Sequence, residues 1–342
     1  MTTVALDGRG AERGAEAIVA GARAAAEAGI GLRVFGDPER LAALTGVGGI
    51  EVVAAQEEIT NDQEPVAAVR RTPEASIVLA AADVAEGRSD ALASAGPTGA
   101  TMTAALFALR RMHGVRRPAL ALQLAVPGAD GPPGLLLDVG ANTEVRSVDL
   151  VQFAYLGAAF SQAVLGVERP RVALLSVGEE AKKGTADVVE AHAELAASNG
   201  IDFRGNIEGR DLLGGAADVV VTDGFTGNVA LKAIEGTARA VAAAVGAAAR
   251  SNPIAAIGGL MLRPALGGLR RELDPDTTGG AILLGLRGVA VVGHGSSGPE
   301  GIANAIRLAV RAVDQRAVER TAALLERSGA TRSAMRDRKE PE

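Results

Sequence analysis

The chain has 342 residues and a formal net charge of −6, and 48% of its residues are hydrophobic. This length allows a sizeable core and two lobes, while the acidic balance and an aromatic content of 2% argue against a nucleic-acid binder. The chain contains no cysteine, which excludes disulfides, thiolate metal sites and cysteine nucleophiles, and its first residues lack the basic and apolar regions of a signal peptide.

Short apolar runs alternate with helical patterns along most of the chain. In the first third of the chain, the patterns predict a strand over 3–6, a helix over 11–28, a strand over 32–35, a helix over 38–44, a strand over 50–54, helices over 64–71 and 75–86, a strand over 91–93 and a helix over 98–111. In the middle of the chain, they predict strands over 119–124 and 135–137, a helix over 148–165, a strand over 172–176 and a helix over 186–199. After that, they predict a strand over 219–222, a helix over 228–250, a strand over 290–292 and a helix over 299–325. Such alternation predicts an α/β fold with a mainly parallel sheet and helices on both faces. We interpret residues 1–326 as a single α/β catalytic unit, which can comprise two lobes.

The segment near 250–271 differs from the rest because it is apolar, contains several glycines and has arginines at both ends. It can form a projecting loop or helical hairpin that touches a membrane surface or a partner, or a helix packed at a subunit interface. Residues 327–342 form a highly charged tail, for which we predict disorder.

Five loops of small residues follow apolar runs, at 94–99, 138–142, 178–180, 223–229 and 294–297. The loop at 223–229 is the most informative, because it leads directly into a long helical pattern. The first amides of a helix lack internal partners and the helix dipole is positive there, so this loop suits an anion. In open α/β sheets, ligands bind at the edge where such loops follow the strands.

Other motifs are weaker. The glycine-rich turn at 8–14 resembles a dinucleotide fingerprint, but its third glycine comes one residue late, so an ordinary strand-to-helix turn is favoured over nicotinamide binding. Of the three histidines, His294 follows an apolar strand and precedes glycine and serine, which indicates a functional role, whereas His113 and His192 are predicted at the surface. Neither a metal site nor a cofactor is predicted.

Two loops are densely charged. The loop at 178–184 pairs two acids with two lysines, and the loop at 205–211 holds Asn, Glu, Arg and Asp within seven residues. A lysine there can hold an anionic group and Arg210 can grip a phosphate in bidentate fashion. The alternative is a solvated charged turn.

Seven segments, in this order, resemble the bacterial phosphate acyltransferase family (acyl-[acyl-carrier-protein]–phosphate acyltransferase) over about residues 2–320. The matching segments are 94–100, 137–142, 178–184, 205–211, 223–229, 279–286 and 294–297. The resemblance implies a fold similar to the isocitrate and isopropylmalate dehydrogenases and the phosphotransacetylases, without their nicotinamide. It further implies a cytoplasmic homodimer that works at the inner membrane face.

The implied reaction moves a fatty acyl group reversibly from acyl carrier protein to inorganic phosphate, and the acyl phosphate then passes to a membrane glycerol-3-phosphate acyltransferase for phospholipid synthesis. Three features depart from the family pattern, and one of them is the family's basic, serine-rich patch, which is thinned here to residues 70–76. The family opens with Asp-Ala-Met-Gly-Gly-Asp where this chain has Asp7-Gly8-Arg9-Gly10-Ala11-Glu12, and Pro97 stands where the family has an asparagine. The altered opening loop is where we expect any loss of substrate affinity.

Inorganic phosphate is already an anionic nucleophile, so direct attack on a thioester needs no covalent enzyme intermediate. The enzyme must position two substrates and stabilise the carbonyl oxyanion. We therefore hypothesise that His294 or Asn142 meets the oxyanion, with Ser296 nearby, while Asp223 and Glu179 orient the donors. Phosphate and substrate binding is assigned to these residues: Lys183, Arg210, Gly227, Asn228, Ser94 and Thr98.

Other readings remain open. One is a phosphotransacetylase that uses acyl-CoA, and another is a non-catalytic, membrane-associated organiser of lipid synthesis. A metal-dependent dehydrogenase is disfavoured, because no Asp cluster for a divalent ion is present. Because acyl carrier proteins are acidic as a class, the docking surface should be locally basic, with candidates at Arg263, Arg270 and Arg271 or at Arg110, Arg111, Arg116 and Arg117.

Overall fold

The computed structural model describes residues 1–128, 131–272, 275–331 and 333. Most of the charged tail and the side chains of Arg263, Arg270 and Arg271 lie outside the described residues. The strands are β1 Thr3–Asp7, β2 Gly31–Gly36, β3 Ile50–Ala54, β4 Ala91–Ser94, β5 Ala119–Leu124, β6 Gly134–Leu137, β7 Arg171–Leu175, β8 Asp202–Ile207, β9 Val219–Val221, β10 Ala281–Leu284 and β11 Val289–Val292. The helices are α1 Gly14–Glu27, α2 Pro65–Arg71, α3 Ser76–Ala85, α4 Thr98–Leu109, α5 Ser147–Phe160, α6 Ala186–Ala196, α7 Gly224–Ala249, α8 Pro253–Glu272, α9 Pro275–Thr278, α10 Pro299–Asp314 and α11 Ala317–Arg327.

One eleven-stranded sheet runs through the described chain, in the order β3-β2-β1-β4-β11-β10-β5-β6-β9-β7-β8. Parallel pairs outnumber antiparallel ones by seven to three. Helices cover both faces: Ile18, Phe153 and Ile306 belong to the core on one face, and Ile77 and Ala104 to the core on the other. The predicted fold class is therefore confirmed.

The antiparallel pairs lie at the centre of the sheet and decide where the loops go. β10 is antiparallel to both β11 and β5, and β5 is antiparallel to β6. The block β3-β2-β1-β4-β11 therefore runs opposite to the block β6-β9-β7-β8. The loops after β1, β4 and β11 lie at what we call the first edge, and those after β6, β7, β8 and β9 at the second edge. The small-residue loops are therefore divided between the two edges of the sheet.

Several element predictions are wrong. The helix predicted over 38–44 is only a single 3₁₀ turn, Ala42–Leu44. A short helical pattern that is followed by glycines forms too few hydrogen bonds to offset the free-energy cost of helix nucleation. The helix predicted over 299–325 is divided in two at Arg316, which has a φ of 52°. Strands β8 and β10 were not predicted, because β8 has little apolar periodicity and β10 is a four-residue run between glycines with positive φ.

Helix α7 and helix α8 form a helical hairpin. A three-residue turn joins them, and their packing brings Gly259 against Ala249. The only fully buried residues of α7 are Gly224 and Gly227, and most of the side chains on this long helix are exposed in the described chain. By contrast, residues 147–165 are apolar and long enough to cross a membrane, but 78% of that stretch is buried, as in the core helix of a globular protein.

Candidate active site

A cavity of about 330 Å³ lies between the first half of α7 and the central strands. Its apolar wall includes Leu120, Leu122 and Leu124 of β5 and, from α7, Leu231 and Ile234. The polar residues that line it are Glu12, Asn61, Thr98, Gln123, Asn228, Lys232, Glu235, Thr278 and His294. A cavity with an apolar wall and a few convergent polar groups is suited to a ligand that joins an apolar chain to a polar head.

Polar side chains from α7 and from the loop after β11 meet in this cavity. Lys232 Nζ lies 2.9 Å from a carboxylate oxygen of Glu235 and 3.3 Å from Nε2 of His294. His294 Nδ1 lies 2.8 Å from Oγ of Ser296. In the tautomer with the ring hydrogen on Nδ1, Nε2 accepts from Lys232 and Nδ1 donates to the Ser296 hydroxyl. In the other tautomer, Nδ1 accepts from the backbone N–H of Ser296, which lies 3.2 Å away, and from its hydroxyl. The first tautomer gives a continuous chain of hydrogen bonds from Glu235 to Ser296.

The oxyanion role of His294 stays a prediction. His294 lines the cavity, and both of its ring nitrogens have polar partners, Lys232 at Nε2 and Ser296 at Nδ1. The ring is therefore placed to orient these two neighbours.

The second oxyanion candidate, Asn142, is not free. Its Nδ2 donates to the carbonyl of Pro118 at 2.7 Å and to the carboxylate of Asp138 at 2.8 Å. Both amide hydrogens of Asn142 are thus used to fix the loop after β6. Burial raises the pKa of the Asp138 carboxyl that accepts one of them. The structure corrects the prediction: Asn142 supports the loop on which α7 rests.

Asp223 and Gly227 also support α7. The Asp223 carboxylate caps the helix, accepting from the backbone N–H of Thr226 at 2.8 Å and from its hydroxyl at 2.7 Å. The N–H of Gly227 donates to the carbonyl of Asp223, so the predicted free amide at Gly227 is already bonded. A Cβ at Gly227 would overlap the carbonyl oxygen of Asp138. Of the 223–229 loop, Asn228 is the residue that reaches the cavity.

Lys183, Arg210 and Glu179 lie at the second edge, in the loops after β7 and β8, whereas the loop of His294 lies at the first. The Arg210 guanidinium is exposed and pairs with Glu179 at 3.3 Å, Glu208 at 2.9 Å and Asp211 at 3.9 Å. None of the three predicted residues lines the cavity beneath α7. The structure thus does not bring them together with His294.

Ser94 and Thr98, both predicted to bind substrate, have different positions. Thr98 begins α4 and lines the cavity. Ser94 is buried, donates to Asp7 at 2.8 Å and accepts from the N–H of Gly96 and the hydroxyl of Thr101. Its hydroxyl is fully used, which corrects the prediction; it holds the loop that leads to Thr98.

The buried carboxyl of Asp7 is expected to make the stability of the native state depend on pH. Burial raises the pKa of Asp7 from an ordinary 3.8 to about 6, although Ser76 and Ser94 donate to it. A raised carboxyl pKa favours the native state below pH 3.8, and this contribution is lost as pH rises through 6. The unfolding free energy lost in this way is about 3 kcal/mol.

We therefore expect Asp7→Asn to gain about 3 kcal/mol of unfolding free energy relative to the parent chain between pH 4 and pH 7. Urea unfolding of both proteins across this range measures it. The difference between the two proteins cancels the titration of the other carboxyls. A difference that does not change with pH would contradict a raised pKa for Asp7.

Sequence reasoning missed Lys232 and Glu235, although a signal was present. On the predicted helix, residues 228, 232 and 235 are spaced i, i+4 and i+7, so they share one face. The predicted anion site depends on the backbone amides of the first helical turn, and Lys232 and Glu235 lie beyond that turn. Among the described residues, no group of three or more His, Asp or Glu is placed to hold a metal ion.

Sequence comparison gives the family. The model of a family described as a fatty acid synthesis protein matches residues 2–320. The phosphate acyltransferase of Elusimicrobium minutum is 44% identical over 318 residues, covering 91% of this chain and 92% of the relative. The chain belongs to the phosphate acyltransferase family. Further members are those of Bacillus licheniformis, 43% identical and covering 91% and 94% of the two chains, and Nostoc punctiforme, 42% identical and covering 93% and 94%. Membership confirms the resemblance, and the chain is an acyltransferase enzyme.

Solved structures with the same fold are more distant in sequence. A phosphotransacetylase from Streptococcus pyogenes has a TM-score of 0.60 at 16% identity, covering 93% of this chain and 94% of that one. The 4-hydroxythreonine-4-phosphate dehydrogenase of Klebsiella pneumoniae has a TM-score of 0.53 at 16% identity, covering 92% and 100%. Likeness at these identities concerns the fold alone, and it agrees with the phosphotransacetylase-like fold expected for the family.

Proposed function

We propose that this enzyme transfers a fatty acyl group reversibly from acyl carrier protein to inorganic phosphate and so supplies acyl phosphate for phospholipid synthesis. The observation that carries the proposal is the cavity beneath α7, in which a leucine-lined wall adjoins the hydrogen-bonded chain from Glu235 to Ser296. The apolar wall suits a fatty chain, and the polar end suits the thioester and phosphate.

The chemistry needs few groups. An oxygen of hydrogen phosphate attacks the thioester carbon, the carbonyl becomes an oxyanion, and the carbon–sulfur bond then breaks to leave a thiolate. The thiolate takes the proton that phosphate loses, so the products are acyl phosphate and a thiol. The Lys232 ammonium lines the cavity and is available to the negative charges, and a preorganised donor of this kind is worth about 3–4 kcal/mol in acyl transfer.

The proposal is tested by mixing the purified protein with palmitoyl acyl carrier protein and phosphate and trapping acyl phosphate with hydroxylamine. Palmitoyl-CoA in place of the carrier separates the proposed enzyme from a phosphotransacetylase. We expect product from the carrier thioester at a higher kcat/KM. The absence of product from either donor, with retained binding to carrier or membrane, would point to the non-catalytic organiser of lipid synthesis.

The carrier is expected to bind a basic surface. Of the arginines at 110–117, Arg110, Arg111 and Arg117 are exposed and Arg116 is half-buried. Arg116 lies 3.2 Å and Arg117 3.9 Å from the buried carboxylate of Asp149, whereas Arg110 and Arg111 have no such partner among the described ion pairs. Arg110 and Arg111 are therefore the stronger candidates for docking, and rates with the carrier should fall as salt increases.

We also propose that the enzyme is a cytoplasmic homodimer that associates peripherally with the inner membrane face, where a glycerol-3-phosphate acyltransferase would take its product. The exposed apolar side chains on α8 support this: Ile254 is 83% exposed, Met261 78% and Leu260 67%. Several large apolar side chains close together on a projecting helix are typical of an interaction surface.

Replacing both Ile254 and Met261 by aspartate should abolish co-sedimentation with anionic phospholipid vesicles, because charged groups cannot enter the lipid interface. Val177→Asp is the matched control, since Val177 is 81% exposed but lies in the loop after β7. Equal vesicle binding by all three proteins would contradict membrane docking through α8.

A further inference from the structure

We infer that Lys232 is the cation that binds inorganic phosphate in the cavity beneath α7, with Glu235 and His294 holding its ammonium in place. The inference rests on the proposed function for its chemistry, but it concerns a binding step that can be measured without turnover. It replaces the assignment of phosphate to Lys183 and Arg210.

The cavity beneath α7 is lined by few charged residues. Among the described residues that line it, Lys232 is the only lysine or arginine, while Glu12 and Glu235 are acidic. A phosphate dianion that enters this cavity would meet two carboxylates and must be offset by a cation. Lys232 is the group that can supply that charge from within the lining.

The ammonium of Lys232 is held by its neighbours and is also open to a ligand. An ammonium has three N–H donors. Both carboxylate oxygens of Glu235 lie within hydrogen-bond distance of Nζ, at 2.9 Å and 3.2 Å, and Nε2 of His294 lies 3.3 Å away. One Glu235 oxygen is sufficient to hold the ammonium, so a phosphate oxygen can take the place of the longer Glu235 contact. Glu235 is 10% exposed in its side chain and Lys232 47%, so a largely buried carboxylate anchors an ammonium that ligands can reach.

The start of α7 is held firmly against the sheet, and this fixes the position of Lys232. The capping carboxylate of Asp223 and the close approach of Gly227 to Asp138 fix the start of the helix on the sheet. Lys232 stands five residues beyond Gly227, about one and a half turns along the helix. Its Cα is therefore placed by rigid backbone, which is what a binding group requires.

The arginines of the neighbouring loops lie outside the cavity beneath α7. Arg210 pairs with three carboxylates at the second edge. Arg9, in a neighbouring cavity of about 230 Å³, pairs with Asp37 and Glu58, both at 3.5 Å. Neither guanidinium lines the cavity beneath α7.

The kinetic test uses Lys232→Gln, which keeps the length of the side chain approximately and removes its charge. The KM for phosphate should rise by about 10- to 100-fold, the worth of a hydrogen bond to a charged group, while the KM for the acyl donor changes less than about twofold. Lys232→Arg should recover part of the phosphate affinity. Arg239→Gln is the matched control, because Arg239 is an exposed cation on the same helix outside the cavity.

The binding test uses the rise in Tm that inorganic phosphate produces, measured against chloride at the same ionic strength. We expect the rise in the parent chain and in Arg239→Gln, and its loss in Lys232→Gln. If the parent chain makes no acyl phosphate but this Lys232-dependent rise persists, the proposed function fails and the assignment stands.

Three outcomes would overturn the inference. One is a parent chain whose Tm does not respond to phosphate. Another is a Lys232→Gln protein with unchanged phosphate response and unchanged KM for phosphate. The third is loss of the response in Lys183→Gln together with its retention in Lys232→Gln, which would return phosphate to the second edge.

Discussion

Gly227→Ala should lower the unfolding free energy by about 3 kcal/mol, because overpacking at a tightly closed backbone contact costs this much. The added methyl group would overlap the carbonyl oxygen of Asp138 and would also press on the side chain of Thr222. Both the loop after β6 and the first turn of α7 would have to move. Urea unfolding should show a lower midpoint with little change in slope.

The matched control lies on the same helix. A Cβ at Gly236 meets nothing within 4 Å, so Gly236→Ala should stabilise the protein by about 0.5–1 kcal/mol through helix propensity alone. The two substitutions are chemically identical and should have opposite signs. If both variants were equally stable, α7 would not rest on the Asp138 loop as described.

His294→Leu should lower kcat/KM for acyl phosphate formation by about 100-fold, the worth of a hydrogen bond to a charged group. Leucine fills a similar volume but makes no hydrogen bond to Lys232 or to Ser296, so both groups lose their orientation. His294→Gln should retain more activity, because its amide can accept at one atom and donate at another. Initial rates of hydroxamate formation measure both variants.

His113→Leu provides the control, since His113 is an exposed histidine outside the cavity. Its rates should match those of the parent chain. Should His294→Gln be as inactive as His294→Leu, the ring itself would take part in the reaction, and the role assigned here to its hydrogen-bond partners would be wrong.

Local sequence signals predicted the elements of this fold well where each element is defined by its own residues. Strand β5 is a run of alternating leucine and alanine with one glutamine, and α10 has a clear helical period, so both were found. Strand β10 has four apolar residues between glycines, and only its antiparallel partners β5 and β11 make it a strand. Its position at the centre of the sheet could not be predicted from its residues.

The candidate site shows the same division. The sequence by itself determined the family, the α/β class, and the importance of the loops at Thr98, Asn228 and His294, because small residues and amides at element ends are a local chemical signal. Only the tertiary structure decided which loops face one another, because strand direction depends on pairing between segments far apart in the chain. The reversal at β10 and β5 separates Lys183 from His294, and the path of α7 across the sheet places Lys232 beside it.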